Sequence, residues 1–188
     1  VFSLEYTPSR EAWDDFGEVG VMLGADPEAE KSVTLQWAVP EKDRNRDGGF
    51  FAFFPTKAGT TLSGAINAPW KLGNDRVTLI EGAYNRELLR EALPKLISET
   101  LPQLVNDPSA VALLDLLPAR CRRGEERSWA DFEMNVPIFD VLRATPSLAD
   151  CAGKLRIPTE LKVPPKGLDD TAKELWLASI PSPESWVS

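Results

Sequence analysis

The sequence predicts an α+β domain, a mixed or antiparallel sheet covered by helices, with a proline-rich extension at its C-terminal side. Three observations carry that expectation. Residues 31–39 alternate, with Val33, Leu35, Trp37 and Val39 on one face and Ser32, Thr34, Gln36 and Ala38 on the other, the period of a half-buried strand. Farther along, Leu88, Leu89, Ala92, Leu93, Leu96 and Ile97 recur at three- and four-residue spacing, the stripe of an amphipathic helix. After Thr145 the texture changes, and six of the sixteen prolines fall between Pro146 and Pro183.

Taken in order, VFSLEY (1–6) reads as a strand, followed by Pro8 and a polar segment carrying Trp13, Phe16, Val19, Val21 and Leu23. Asp26-Pro27 marks a turn, and EKDRNRDGG (41–49) is a charged surface loop. Phe50–Phe54 is a short apolar run bounded by Gly49 and Pro55, suited to a central strand of a covered sheet. Leu62–Ala68 and Val77–Glu81 are weaker strand candidates. Asn85 is placed to cap the long helix, and Pro94 predicts a kink or break within it.

Asp107-Pro108 opens a short apolar helix in SAVALLDLLP. Residues 128–144 form another, with Trp129, Phe132, Val136, Phe139 and Leu142 spaced for one face and Pro137 as an interruption. Asp169–Ala178 is a final short helix. The expected division is a domain over 1–145 and an extension over 146–188.

A chain of 188 residues, 43% hydrophobic, has enough apolar material for a core. Its formal net charge of −8 argues against broad binding to nucleic acid or anionic membrane, because both need a basic surface. The chain has no histidine, which removes the usual neutral-pH general base, the Ser/His and Cys/His nucleophile pairs and every imidazole metal ligand. Cys121 and Cys151 lack CxxC spacing, so buried reduced thiols of a cytosolic protein are the default expectation, with one disulfide between them as the alternative. No apolar run spans a bilayer, and no signal peptide opens the chain. It begins at Val1 and ends at Ser188, and reads as a fragment of a longer protein.

The candidate chemistry is cationic. Lys57, in PTKAGT, is expected in a turn after a buried strand, where an ammonium meets a terminal phosphate as a point charge. Its competing role is a solvated turn lysine. Arg76, in GNDR, offers a fork for phosphate oxygens, the chemistry of an arginine finger. Its competing role is pairing with Asp75 or Glu81. Trp70 reads as a core anchor, and Arg120, Arg122, Arg123 and Arg127 as a solvated loop diluted by Glu125 and Glu126. Neither a P-loop nor a nucleotide-binding glycine loop is spelled, and the acid pairs Asp14-Asp15 and Asp169-Asp170 have nothing to place them in a cleft.

The stretch FFPTKAGTTLSGAINAPWKLGNDR, followed by YNRELL, resembles the sacsin-like branch of the GHKL ATPases. The pattern there is FLPT, then T.L, INAPF.L..DR and an N..LL helix, directly after the ATP-binding domain. The likeness covers about residues 33–105 and continues loosely through RATPSLADCAGKLRIPTELKVPP.

The resemblance implies a transducer or middle domain like that of the large heat-shock chaperones. In those, an arginine after an LPLN turn meets the terminal phosphate of ATP held by the preceding domain. Arg76 follows Leu62 to Asn67 in that order, across a longer gap; Lys57 matches the transducer-loop lysine of other GHKL families. The ATP pocket itself needs an acidic residue and an asparagine on one helix, a DxGxG turn and a glycine-rich lid. These motifs are not in the chain, so ATP and Mg²⁺ are expected in the parent protein and no cofactor in this fragment.

The expected partner is the preceding ATP-binding domain of the same chain, with protein clients beyond it, in the cytoplasm. The rival expectation is a protein-interaction or scaffold domain whose Trp and Phe residues form the contact surface, with no nucleotide role.

Overall fold

The computed structural model describes residues 1–12, 32–41, 46–104, 116–117, 128–163 and 167–179, together with Ser182 and Trp186. It is an α+β fold built on a mixed five-stranded sheet. The strands are β1 (Phe2–Tyr6), β2 (Val33–Ala38), β3 (Gly48–Ala52), β4 (Phe54–Thr60) and β5 (Ala65–Asn67), in spatial order β1-β2-β5-β3-β4. Only β3 and β5 run parallel; the other pairs are antiparallel. In β2, Val33, Leu35 and Trp37 are buried while Thr34 is exposed, as the alternation requires. Leu4 pairs with Leu35 and Trp37 with Ile66, so one face of the sheet is continuously apolar.

The FFAFF run is a hairpin and not one central strand. The chain reverses at Phe53, whose φ is +62°, and Phe51 then faces Pro55 across β3 and β4. Proline is tolerated there because β4 is the edge strand. The charged loop is also shorter than expected, since Gly48 and Gly49 already belong to β3. A Cβ on Gly48 would lie 2.1 Å from the Leu62 carbonyl oxygen, so only glycine fits that crossing. The strand expected over 62–68 narrows to β5. That expected over 77–81 is reduced to a single bridge between Leu72 and Leu79.

Three helical segments follow without a gap: α1 (Ala83–Glu87), a π segment (Leu88–Ala92) and α2 (Leu93–Leu104). The wide turn stands directly before Pro94, whose ring would clash with the carbonyl four residues back in a regular α-helix. The kink expected at Pro94 therefore takes the form of a π turn. Asn85 is not the cap; Gly82 is, and Asn85 lies inside the helix, fully buried.

Helix α3 (Trp129–Ala144) starts at Ser128, whose hydroxyl accepts from the Asp131 N–H at 3.2 Å. It runs unbroken through Pro137. Its buried side is Ala130, Asp131, Met134, Asn135, Ile138 and Leu142, while Phe132 and Val136 are exposed. The expected apolar face was thus rotated. Asp131 goes inward because Thr60 and Thr61 meet its carboxylate through their hydroxyls at 2.8 and 3.1 Å, joined by the Thr61 N–H at 3.1 Å. A buried carboxylate so satisfied does not forbid burial of its face.

One core unites the sheet with these helices: Leu35, Trp37, Phe50 and Ile66 pack with Leu88, Leu89, Leu93, Leu96, Ile97 and Leu101. Trp70 joins it edge-on to Phe50, with ring centroids 5.2 Å apart, in the anchor role expected. Past α3 come a small hairpin of β6 (Leu148–Ala149) and β7 (Leu155–Arg156), a 3-10 turn (Pro158–Glu160) and α4 (Asp170–Ser179). Asp169 accepts from the Ala172 N–H at 2.7 Å at the start of α4.

The segment 13–31, most of the apolar helix at 109–118, the arginines at 120–127 and Cys121 lie outside the described residues. No helix among the described residues is long and apolar enough to cross a membrane.

Candidate functional site

The two cations singled out from the sequence meet at one corner of the sheet. Lys57 is not in a turn. It sits within β4, and its backbone N–H donates to the Val77 carbonyl at 2.8 Å. The edge strand is therefore stitched to the loop 71–80, one residue from Arg76. Lys57 and Arg76 are both exposed, and among the described residues neither enters an ion pair.

The loop is held from below by Asn85. Its Oδ1 accepts from the Lys71 N–H at 2.9 Å, and its Nδ2 donates to the carbonyls of Lys71 at 2.8 Å and Ile80 at 2.7 Å. One buried side chain thus clamps both ends of the loop to α1, aided by an Ile80 N–H to Lys71 carbonyl bond of 3.1 Å. At the tip, the Arg76 N–H donates to the Gly73 carbonyl at 2.8 Å. Arg76 itself has φ of +58°, a left-handed conformation uncommon for a side chain of this type.

Asp75 organises the tip. Its carboxylate accepts from the N–H groups of Val77 and Thr78 at 3.1 and 2.9 Å and from the Thr78 hydroxyl at 2.7 Å. The Thr78 hydroxyl and amide, then the Val77 amide, hold its pKa down at about 2, with a smaller contribution from the positive charge of Lys57. The Val77 and Thr78 amides are consequently occupied by Asp75. What the corner offers an outside anion is the Lys57 ammonium and the Arg76 guanidinium, a point charge and a fork.

Arg86 is a cation of another kind. It pairs with Glu81 and with the half-buried Glu133 of α3, which also takes Arg90. These contacts, above all the hydrogen bond to Glu81, raise its pKa and commit it to joining the helices. The role of Asn85 as a clamp escaped the sequence reading. Its one signal was an amide in line with Leu88, Leu89 and Ala92 on the apolar stripe, where a polar side chain needs buried partners.

No group of acidic or thiol side chains arranged to hold a metal occurs among the described residues. No family model matches the chain, and neither a curated protein nor a solved structure matches it.

Proposed function

We propose that this chain is a transducer-like module of a larger sacsin-like GHKL ATPase in the cytoplasm. In this reading, Lys57 and Arg76 approach the terminal phosphate of ATP held with Mg²⁺ by a preceding domain, and the module passes closure of that site to downstream domains. The observation that carries the reading is the bond from the Lys57 amide to the Val77 carbonyl, which puts both cations on one solvent-facing corner. Fixed positive groups aimed at developing phosphate charge act without reorganisation, the basis of electrostatic catalysis of phosphoryl transfer. The clamped loop supports such a role, since a cation on a loose loop would lose its positioning.

The test is steady-state ATP hydrolysis by the full-length parent, as wild type, Arg76→Ala and Lys57→Ala, with thermal melts of each. Loss of turnover by on the order of a hundredfold in one folded variant is expected. Hydrolysis unchanged in both, or no ATPase in the parent, overturns the reading. A protein-interaction domain without a nucleotide role is then the better account, and the exposed phenylalanines at the β3–β4 turn favour it.

A further inference from the structure

Among the described residues, two that are not glycine hold a left-handed backbone, Phe53 at φ +62° and Arg76 at +58°. Both stand where the chain turns, in a conformation that glycine or asparagine takes at less cost. Each is held there by a side chain. For Phe53 the holder comes from another strand, Asn67 of β5, whose Oδ1 accepts from the Phe53 N–H at 3.0 Å. For Arg76 it is the neighbour in sequence, Asp75.

The loop 71–80 closes toward its tip through the Ile80 N–H to Lys71 carbonyl bond of 3.1 Å and the Gly73 N–H to Thr78 carbonyl bond of 2.8 Å. Asn74, Asp75 and Arg76 lie beyond them, all exposed. The Asp75 carboxylate folds back onto the chain. Its Oδ1 accepts from the N–H groups of Val77 and Thr78, and its Oδ2 from the Thr78 hydroxyl. The bond from Val77 passes over one residue, Arg76, so the ring it closes sets the backbone there. The Arg76 N–H is itself bonded to the Gly73 carbonyl. A Cβ on Gly73 would lie 3.4 Å from Asp75 Oδ1, so the carboxylate rests against the backbone of the tip.

An unfavourable backbone persists where its surroundings over-determine it, and such residues gather at working sites. By backbone the position suits glycine, and what arginine adds is a guanidinium. Among the described residues that group enters no ion pair. Asp75 does not help an anion by its sign. It stays ionised, its carboxyl held down at about 2 by the Thr78 hydroxyl and amide foremost, and like charges repel. Beside a phosphate contact its use lies in its acceptor geometry.

We propose that Asp75 is a positioning residue for Arg76: by closing its turn onto the Val77 and Thr78 amides, it fixes the backbone from which the guanidinium is presented to phosphate. This assignment rests on the reading of the corner as a phosphate contact, and adds the side chain that sets its geometry. Lys57 has no such holder and needs none, because it lies within a strand.

The test is ATP hydrolysis by the full-length parent as Asp75→Ala, Asp75→Asn, Arg76→Ala and the double variant D75A/R76A. Asp75→Ala should lower kcat by about tenfold or more and leave the KM for ATP within about threefold, since misplacing a contact to the reacting phosphate costs turnover before affinity. Asp75→Asn keeps an acceptor for the two amides and should recover most of that loss. The double variant should be no slower than Arg76→Ala, as expected of a residue that acts through another. Arg76→Gly, which takes the left-handed backbone freely, should melt at or above wild type. Unchanged turnover in Arg76→Ala, or a parent without ATPase, overturns the phosphate reading and this inference with it. Turnover lost in Arg76→Ala but kept in Asp75→Ala overturns this inference alone. So does an Asp75→Asn no better than Asp75→Ala, which makes the charge the active feature, or a double variant slower than Arg76→Ala. A lowered melt of Arg76→Gly overturns it too, by making the arginine a structural residue.

Discussion

The sheet with its three helices and the segment that follows α3 are held together by different physics. Every buried hydrophobic residue of the core belongs to the first region, the last of them being Leu142. Beyond it, the only buried residues among those described are polar, Ser147 and Asp150. Asp150 is wholly enclosed, and its Oδ1 accepts from the N–H groups of Ala152 and Lys154 at 2.9 Å each, while its Oδ2 accepts from Arg156 Nε at 3.0 Å. At the far end Trp176 and Trp186 meet edge-to-face at 4.4 Å, with the Lys162 ammonium 5.5 Å from the Trp186 ring. The first region has buried area, and the second has directional contacts. Burial is forgiving of detail and strong in sum, whereas a polar knot depends on each partner being in place.

That contrast can be broken most forcefully in the core. Leu96→Ala, at a residue 1% exposed between sheet and helices, should lower stability by about 2–5 kcal/mol, read from a denaturant titration. A loss under about 1 kcal/mol would mean the helices are loosely seated.

Next comes the polar clamp inside the apolar region. Asn85→Ala removes a partner from the part-buried Lys71 N–H and from the carbonyls of Lys71 and Ile80 and should cost about 2–3 kcal/mol. It should also release the loop 71–80, seen as faster amide exchange at Ile80, whose N–H bonds Lys71. If Ile80 exchange is unchanged, the backbone bonds alone hold the loop.

A pH-dependent contact lies where β1 meets α1. Burial, then the charge and hydrogen bond of Glu87, push the Tyr6 hydroxyl up to about 12. A raised folded-state value means stability present below the ordinary tyrosine pKa of about 10 and lost as pH climbs from there toward 12. Burial raises Tyr84, the other tyrosine, as well. An ultraviolet titration should therefore show little tyrosinate at pH 10, and Glu87→Gln should move the Tyr6 midpoint down. An unmoved midpoint would leave burial as the whole cause.

Asp150→Asn probes the second region. Two amides and the Arg156 guanidinium hold the Asp150 carboxyl below the usual carboxylate range, the Lys154 amide foremost and against the opposing effect of burial. A depressed value means a contribution present above the ordinary Asp pKa of about 4 and lost on acidification through the folded-state value. The variant should abolish protection of the Lys154 amide while leaving the main thermal transition in place. A fall in that transition would show the hairpin to be part of the main cooperative unit. The smallest effect is expected at Leu175 of α4, 69% exposed. Its change to Ala should stay within about 0.5 kcal/mol.

Strands β1 and β2 were legible because alternation is a local property, and α4 because a capping aspartate and short apolar spacing suffice. The corner was legible as two separate cations, Lys57 and Arg76, but not as a corner. Their meeting depends on the Lys57 amide reaching Val77 across twenty residues of chain, a long-range contact that neither segment spells. The face of α3 was misjudged for the same reason. Phe132 and Val136 are more apolar than Asp131 and Asn135, and only Thr60 and Thr61, some seventy residues away, make it cheap to bury Asp131.

By itself, then, the amino-acid order determined the α+β class, the half-buried period of β2, the helical stripe from Leu88 to Ile97 and the perturbation at Pro94. All of these rest on interactions between residues a few positions apart. The tertiary structure alone decided that FFAFF turns back on itself at Phe53, that Asn85 clamps a loop instead of capping a helix, and that Lys57 lies on a strand beside Arg76. In each case a backbone group found its partner far along the chain. Such pairings are set by where whole elements come to rest, once the core has placed them.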